Sequence, residues 1–428
     1  MVAVGVPELF NLIERSVELY GPYDDVKRAI SHHLIGATLM PTTYRLGTTF
    51  TDSRVNLMVV LPTGHGKREV STAVDHYAKL MWREGEFSKP STHHPQQLVG
   101  TMVKHVNPEG EEVWAPVRGF LDKRFLVFEE AFRILSHVEE AETRQLLSQA
   151  LDPYTRNEIS KKNLAWDKEL RYHPRCSVAM LWQPQPVPID VWRGGLTRRF
   201  LWIVLDELTN EQAVDILRQA IDNQPRDLVD EVSRLAGRIA IRMDQAARSQ
   251  EPFILSFGAV SSLIKEGAKQ AFDIAQDHSA KCRGLPHTLK FTFLHLLMKM
   301  SANHAAAHAA DIAYHGSQLM IPAQVNVAAD DVMAAADDLS AFVKRMVVFL
   351  DQHIQLPVVT SPLGQAIQAM LRNHGPTSEQ NLINNLQVSG QMGRYSDEDV
   401  RRELQVMCLL GVAKFTEDEM YEVVDPIV

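Results

Sequence analysis

The stretch LMVVLPTGHGKREVS, residues 57 to 71, decides the fold class of this chain. It runs from an apolar segment typical of a buried strand, through a turn with two glycines, into a segment with a helical pattern. The backbone N–H groups of such a turn can wrap phosphate oxygens at a helix N-terminus, and a lysine can reach the β- and γ-phosphates. The candidate phosphate-binding residues are Pro62, Thr63, Gly64, His65, Gly66, Lys67 and Arg68.

Two positions depart from the phosphate-binding pattern G-x-x-x-x-G-K-[ST]. Leu61 replaces the first glycine and restricts the first turn of the loop, and Arg68 replaces the closing hydroxyl residue. A guanidinium group has only donors, so Arg68 cannot be an oxygen ligand of Mg²⁺. Taken alone, the fragment fits a nucleotide site, a former nucleotide site or a chance pattern of glycines.

The residues around this stretch predict an α/β fold with a parallel sheet flanked by helices, because helix-like and strand-like segments alternate over residues 22–206. The predicted strands are 56–61, 125–128, 177–182 and 201–205. Glu129 and Glu130 follow the second of these strands, at the edge where open α/β sheets bind ligands. One carboxylate can bind Mg²⁺ and the next can polarise a water molecule. The pair also fits the start of a solvated helix.

Polar residues flank the other two strands. Gln183 follows the third strand, and its amide could orient a water molecule at the γ-phosphate. Arg198 and Arg199 precede the last strand, from which an arginine could reach the nucleotide of a neighbouring subunit. Four moderate features therefore occur in the order expected of one nucleotide site.

The composition limits the other classes of function. A net charge of −9 argues against a protein that coats duplex DNA, although it allows a local basic channel. Three distant cysteines predict neither a zinc knuckle nor disulfides, so we expect a reducing compartment and a cytoplasmic or nucleoid-associated protein. Histidine pairs such as His32–His33 have no partner ligands at metal spacing. The sequence shows neither a secretory signal nor an apolar stretch of about 18 residues, so we expect no membrane span.

Three domains are predicted along the chain. Residues 1–208 form the α/β nucleotide-binding core, the alanine-rich residues 209–353 form a helical linker and lid, and residues 361–428 form a winged-helix domain. The last boundary lies in IQLPVVTSPLG, residues 354–364, where two prolines bracket an extended segment. The winged helix is predicted from three helices followed by a short hairpin.

The ordered set of segments resembles the AAA+ module of minichromosome maintenance (MCM) helicases over roughly residues 17–350. LYGPYDDVKRAISHHLIGA is similar to the family's lead-in, and residues 93–130 resemble its inserted hairpin and Walker B strand. Residues 144–184 resemble its pre-sensor hairpin and sensor-1 strand. GGLTRRFLWIVL and PHTLKFTFLHLL resemble its arginine-finger and sensor-2 segments. Only about twenty residues precede the match, so we expect the family's N-terminal oligonucleotide-binding and zinc-bearing region to be missing or supplied by another chain.

The resemblance implies ATP and Mg²⁺ as ligands and gives each matched residue a role. Lys67 would contact the β- and γ-phosphates, Glu129 would lie near Mg²⁺, Glu130 would be the catalytic carboxylate, Gln183 would be sensor 1, Arg199 would act in trans and Lys290 would be sensor 2. Three of these residues depart from the family's pattern, which has Asp at 129, Asn at 183 and Arg at 290.

Two hairpins are the candidate DNA contacts. Residues 156–175 are basic with interleaved aromatic residues, and the resemblance makes them a pore hairpin with Lys161 and Lys162 near its tip. These lysines would grip single-strand phosphates, and Trp166 could stack on a base. The inserted hairpin offers Lys104 and His105. On the residues alone, a solvated hairpin fits the pore segment equally well.

The leading hypothesis is a homo-oligomeric, MCM-like ring that binds ATP at subunit interfaces and threads single-stranded or duplex DNA through a central pore. It would act as an ATP-driven helicase or translocase in replication. A second hypothesis is a catalytically weakened scaffold that uses nucleotide as structural glue, which Arg68 supports. A third is a winged-helix transcription regulator, which is weaker because the third helix of the last domain is acidic.

Overall fold

The computed structural model of the 428-residue chain divides into two compact units. The large unit comprises Met1–Gln185 and Val191–Gln352, and the small unit comprises Pro186–Asp190 and His353–Val428. The structure describes residues 6–17, 23–40, 42–62, 67–81, 86–90, 94–136, 140–152, 158–162, 166, 169–185, 187–188, 196–205, 208–222, 229–249, 252–278, 288–355, 361–389, 395–409, 412–416 and 418–423.

The described helices and strands follow one another along both units. The helices are α1 (Glu8–Ser16), α2 (Asp24–Thr38), α3 (Lys67–Met81), α4 (Pro95–Val99), α5 (Ala131–Ser136), α6 (Ala141–Ala150), α7 (Asn210–Asp222), α8 (Val229–Ser249), α9 (Ser261–His278), α10 (Thr288–His315), α11 (Ala329–His353), α12 (Pro362–His374), α13 (Glu379–Val388) and α14 (Asp397–Leu409). The strands are β1 (Thr43–Leu46), β2 (Thr49–Asp52), β3 (Asn56–Val60), β4 (Phe87–Ser88), β5 (Gly100–Val106), β6 (Glu112–Arg118), β7 (Phe125–Phe128), β8 (Ile159–Lys161), β9 (Leu170–Tyr172), β10 (Ser177–Trp182), β11 (Val187–Pro188), β12 (Phe200–Val204), β13 (Ile254–Ser256), β14 (Gln324–Asn326), β15 (Ile354–Gln355), β16 (Thr377–Ser378), β17 (Ala413–Phe415) and β18 (Met420–Val423).

A five-stranded parallel sheet forms the centre of the large unit, in the order β12-β3-β10-β7-β4. Every residue of β3, β7, β10 and β12 is buried, as expected of parallel strands covered on both faces by helices. The predicted parallel sheet and its four long strands are confirmed. Two strands differ by one residue from their predicted bounds: β3 ends at Val60, and the last strand occupies 200–204 instead of 201–205.

Helix α2 approaches the backbone before β3 very closely at Gly36. A Cβ atom on Gly36 would lie 2.2 Å from the carbonyl oxygen of Ser53, so only glycine fits there. In the next turn, the His32 carbonyl accepts a hydrogen bond of 2.9 Å from Nδ2 of Asn303, which belongs to α10. The lead-in segment therefore fixes α2 against both the sheet and the helical layer.

The helical segment predicted as linker and lid belongs to the same unit as the sheet. Its long helix α10 packs against α8 and α9, and Lys299 of α10 forms a buried ion pair of 3.2 Å with Asp52 of β2. Asp52 also pairs with the buried Arg54. Burial alone would raise the pKa of Asp52. The charges of Arg54 and Lys299 outweigh this effect and hold the pKa below its usual value.

The small unit contains the three predicted helices and the predicted hairpin. Strands β17 and β18 pair antiparallel, and β16 extends them to a three-stranded sheet. The predicted cap of α14 is present, because Ser396 and Asp399 exchange side-chain to backbone hydrogen bonds of 2.8 and 3.2 Å. The core of the unit includes Leu363, Ile367, Leu371, Leu382, Leu386, Val400, Leu404 and Met407.

The segment predicted as an extended linker begins as a strand. Ile354 and Gln355 form β15, which pairs in parallel with β11. The pairing is long-range, so the local sequence around the two prolines carries no sign of it. Residues 356–360 lie outside the described part of the chain.

Candidate functional site

The ends of three neighbouring strands bring four of the predicted site residues, Lys67, Glu129, Glu130 and Gln183, to one edge of the sheet. Strands β3, β10 and β7 lie side by side and run in the same direction, so their carboxyl ends meet there. The backbone N–H of Leu61, just after β3, donates to the carbonyl of Trp182 at the end of β10 at 2.9 Å. Gln183 follows directly and is half-buried. This edge is where an open α/β sheet binds a ligand.

The Lys67 ammonium and the Glu130 carboxylate meet at this edge. Lys67 is the first residue of α3, Glu130 lies just beyond β7, and Nζ and Oε1 are 3.9 Å apart. The Lys67 side chain is 18 % exposed, whereas that of Glu130 is 82 % exposed. Lys67 is therefore held against the protein, while Glu130 extends into solvent. Residues 63–66 (Thr63, Gly64, His65 and Gly66) lie outside the described residues, and Pro62 is buried.

Glu129 forms an ion pair with Lys89, which the sequence did not single out. Lys89 follows β4, the strand next to β7, so the fold brings the two side chains to the same edge. Both are partly exposed. A cation that bound to Glu129 would therefore compete with Lys89. The sequence pattern that would have predicted β4, and with it Lys89, is weak because β4 has only two residues, too few for a periodic pattern.

Arg68 is the second residue of α3, and its side chain is exposed. This position lies beside Lys67, where the phosphate-binding pattern has a hydroxyl group for Mg²⁺. A positive charge here attracts phosphate but repels a divalent cation. An arginine at this position is therefore better suited to a phosphate contact than to a metal contact.

Arg198 and Arg199 lie at the opposite edge of the sheet. They end a turn of 3-10 helix before β12, whose first residue, Phe200, pairs with Asn56 at the start of β3. A strand of this length spans roughly 15 Å, so that distance separates Arg199 from the edge that carries Lys67. Arg198 borders a small apolar cavity between β12 and the helices α10 and α11.

Arg199 is fixed by two contacts that sequence reasoning missed. Its Nη2 lies 3.2 Å from Oδ2 of Asp152, and its carbonyl accepts a hydrogen bond of 3.2 Å from Nδ2 of Asn56. The buried Arg54 donates to the Asp152 carbonyl at 3.1 Å. Arg54 and Asp152 therefore position Arg199, and only the tertiary fold brings these three residues together.

Lys290 remains apart from the other predicted site residues. It is an exposed residue of α10, and its Nζ lies 4.7 Å from the ring centroid of Phe272 in α9. Within the described residues, no ion pair joins Lys290 to Glu129 or Glu130. The structure thus gives Lys290 a cation–π contact in the helical layer.

Both predicted hairpins are present in the large unit. Strand β5 pairs with β6, and β8 pairs with β9. Lys161 ends β8, its Nζ donates to the carbonyl of Gly100 at 3.3 Å, and the same atom lies 5.9 Å from the Trp166 ring centroid. Lys162 follows and is exposed. The lysine and tryptophan predicted to act together are therefore neighbours.

The inserted hairpin presents a less basic surface. Lys104 forms an ion pair of 2.9 Å with Glu112 and lies 5.6 Å from the Trp114 ring centroid. His105 is exposed opposite Val113. Because the Lys104–Glu112 pair is exposed, it is weak and can exchange for another anion.

A buried cluster joins two histidines that are distant in sequence. Nε2 of His32 and Nε2 of His304 lie 3.4 and 3.5 Å from Oδ2 of Asp338. Sequence spacing predicted no ligand set for His32, but the ligand atoms of these three residues lie within 4.8 Å of one another. Arg28 reaches the same oxygen at 3.6 Å and supplies the positive charge that a metal would bring. Burial lowers the pKa of His32 to about 4, so its ring is neutral at neutral pH.

No protein-family model matches this sequence, and no match is found among the curated proteins. Among the helices described, none combines the length and the apolar character that crossing a membrane requires.

Proposed function

We propose that this chain is an MCM-like AAA+ protein that binds ATP with Mg²⁺, assembles into a ring and acts on DNA as an ATP-driven translocase. The observation that carries the proposal is the approach of Lys67 to Glu130 at the carboxyl edge of the parallel sheet. These residues are far apart in sequence; Lys67 was predicted to contact the β- and γ-phosphates, and Glu130 was predicted to be the catalytic carboxylate beside them.

Each residue at the carboxyl edge of the sheet would have its own role in phosphoryl transfer. Lys67 would neutralise the β- and γ-phosphates, and Mg²⁺ held through Glu129 would neutralise the charge that develops on their oxygens. Glu130 would polarise the attacking water, for which its exposed carboxylate is available. Gln183, one strand away, would orient that water.

The position of Arg199 supports a ring. At the opposite edge of the sheet, Arg199 is too far from Lys67 to contact the nucleotide of its own subunit. Its contact with Asp152 holds the guanidinium in one place. In a head-to-tail ring, Arg199 of one subunit would contact the nucleotide bound to the neighbouring subunit.

The two hairpins support a DNA contact. Lys161, Lys162 and Trp166 would grip a single strand through phosphate contacts and base stacking. Lys104 and His105 would add a second, weaker contact. The nucleotide state would tilt the hairpins and so move the strand through the ring.

The helical layer and the small unit would be the lid and a winged helix. In the small unit, Arg401 of α14 is engaged by Glu379 at 2.8 Å and by Glu398 at 3.7 Å. A groove-reading helix needs free basic side chains. The small unit would therefore regulate the ring or contact a replication partner.

A nucleotide-stabilised scaffold is the second candidate function. Arg68 favours it, because the exposed guanidinium stands where a hydroxyl group would complete the Mg²⁺ site. Such a ring would bind ATP and DNA without significant turnover.

Mixed rings test the proposed assembly. When Arg199→Ala subunits are mixed with wild-type subunits, the fractional loss of ATP turnover is expected to exceed the fraction of variant subunits. The reason is that each variant subunit also inactivates the nucleotide site of its neighbour. Arg218→Ala, which removes an exposed arginine of α7, should lower turnover only by dilution or not at all. A strictly proportional loss with Arg199→Ala would contradict the trans role.

A further inference from the structure

A cavity of about 460 Å³ lies at the base of the two hairpins. Its size is within the range of pockets that bind small molecules or one unit of a polymer. Four arginines line it, together with Glu86 and Asp122: Arg118, Arg124, Arg171 and Arg175.

The cavity belongs to both hairpins at once. Arg118 ends β6, and its guanidinium carbon lies 5.5 Å from the ring centroid of Tyr172, the last residue of β9. The Tyr172 hydroxyl donates to the carbonyl of Val99 at 2.8 Å, just before β5. The bases of the hairpins are therefore joined, and a ligand in the cavity would contact both of them.

Among the charged residues that line the cavity, four arginines face two carboxylates, Glu86 and Asp122. Arg118 pairs with Asp122 at 3.2 Å, but the first side chain is exposed and the second is partly exposed, so the pair is weak. Arg171 pairs with Glu158 and Glu169 at 3.3 and 3.0 Å. For the part of the chain that the structure describes, no carboxylate lies within 4.0 Å of the Arg175 guanidinium.

Arg124 is the most buried of the four arginines that line the cavity. Arg124 donates to the carbonyl of Ala37 at 2.7 Å. Burial lowers the pKa of Arg124 to about 10; Glu86 opposes this shift and Arg175 adds to it. Guanidinium groups remain charged under these conditions, and their interaction with an anion is stronger where water is excluded.

We propose that this cavity binds a backbone phosphate of the single strand that the hairpins engage, with Arg118, Arg171 and Arg175 as its ligands. The proposal rests on the DNA-directed function proposed above. The planar guanidinium fork matches phosphate oxygens. The position of the cavity favours a DNA strand over a free phosphate, because the cavity adjoins the hairpin lysine. The Lys161 ammonium donates to the carbonyl of Gly100, and Gly100 pairs with Arg118.

The test is the salt dependence of binding to a fluorescent oligothymidine, measured by anisotropy with the full-length protein. Arg175→Ala and Arg118→Ala are each expected to weaken binding about three- to tenfold and to lower the slope of log K against log salt by about 0.7, one single-strand phosphate contact. The matched control is Arg218→Ala, which removes an exposed arginine outside the hairpins and should leave the slope unchanged.

Lys162→Ala distinguishes this proposal from the hairpin proposal. A slope that falls in Lys162→Ala but stays at the wild-type value in Arg175→Ala and Arg118→Ala would overturn the phosphate cavity and leave the hairpin function intact. Failure of the wild-type protein to bind the oligonucleotide would overturn both. If Arg175→Ala removes calorimetric binding of inorganic pyrophosphate while the DNA slope is unchanged, the cavity binds a free phosphate and the strand assignment is wrong.

Discussion

The Lys67 ammonium lies 3.9 Å from the Glu130 carboxylate, across the carboxyl edge of the parallel sheet. A phosphate group bound between them would separate the pair, with its oxygens on Lys67 and an attacking water on Glu130. The two side chains therefore have different expected roles, one in binding and one in catalysis.

Glu130→Gln is expected to lower kcat for ATP by about 10²–10⁴-fold, because the amide cannot accept the proton of the attacking water. ATP affinity should not fall, since Glu130 is exposed and removing its charge relieves repulsion of the phosphates. Steady-state turnover and nucleotide binding by calorimetry measure the two effects. Glu142→Gln, at an exposed position of α6, is the matched control. Equal turnover in both variants would exclude Glu130 as the base.

Arg68→Ser is expected to raise Mg²⁺-dependent turnover by at least about tenfold, because it exchanges a cation for a hydroxyl ligand of the metal. The measurement is kcat as a function of Mg²⁺ concentration. Arg218→Ser removes a similar exposed helical arginine and should have no effect. An unchanged Mg²⁺ dependence in Arg68→Ser would show that residue 68 does not limit the site.

Lys89→Met is expected to tighten Mg²⁺ binding in the presence of ATP by about two- to fivefold. The ion pair between Lys89 and Glu129 is partly exposed, so the competition that it offers is modest. Lys104→Met is the control, because it removes a lysine from an exposed pair in the inserted hairpin. Weaker Mg²⁺ binding in Lys89→Met would show that Glu129 is not the metal ligand.

The large unit is expected to lose stability as pH falls from about 6.5 to about 4. Burial lowers the pKa values of His32, His33 and His295 to about 4, so the unfolded chain binds more protons than the folded chain in this window. Asp311 opposes them, since burial raises its pKa to about 6 and the folded state there holds the extra proton. The histidines outnumber it, and each net proton contributes about 1.4 kcal/mol per pH unit.

Denaturant unfolding between pH 7 and pH 4.5 measures this slope. His33→Asn should reduce the slope, because it removes one buried histidine, whereas His105→Asn changes an exposed histidine and should leave it unchanged. An unfolding free energy that stays constant over this range would contradict the burial of the neutral histidines.

The local sequence was sufficient for the parallel sheet, whereas both hairpins were predicted through the family resemblance. Short apolar segments such as 125–128 and 177–182, bounded by polar residues, are typical of buried parallel strands. Strand β4 was not predicted, because two residues are too few to show a periodic pattern. Lys89, which follows this strand, was therefore not predicted as a site residue. The sequence also gave no sign of the pairing between β11 and β15.

The partners of the candidate site residues depend on contacts between distant segments. Asp152 and Arg54 hold Arg199 through contacts that no local pattern encodes. The same is true of the four arginines of the cavity, which come from two segments, 118–124 and 171–175, and meet only after the hairpins fold. Local sequence thus predicts which residues end a strand, while packing decides which of them meet.

ATP turnover by the purified protein, with and without single-stranded DNA and beside a Lys67→Ala variant, tests the central claim most directly. The expected result is turnover that DNA stimulates and that Lys67→Ala abolishes. If the wild-type protein shows no more turnover than Lys67→Ala in either condition, the protein is not an ATP-driven translocase.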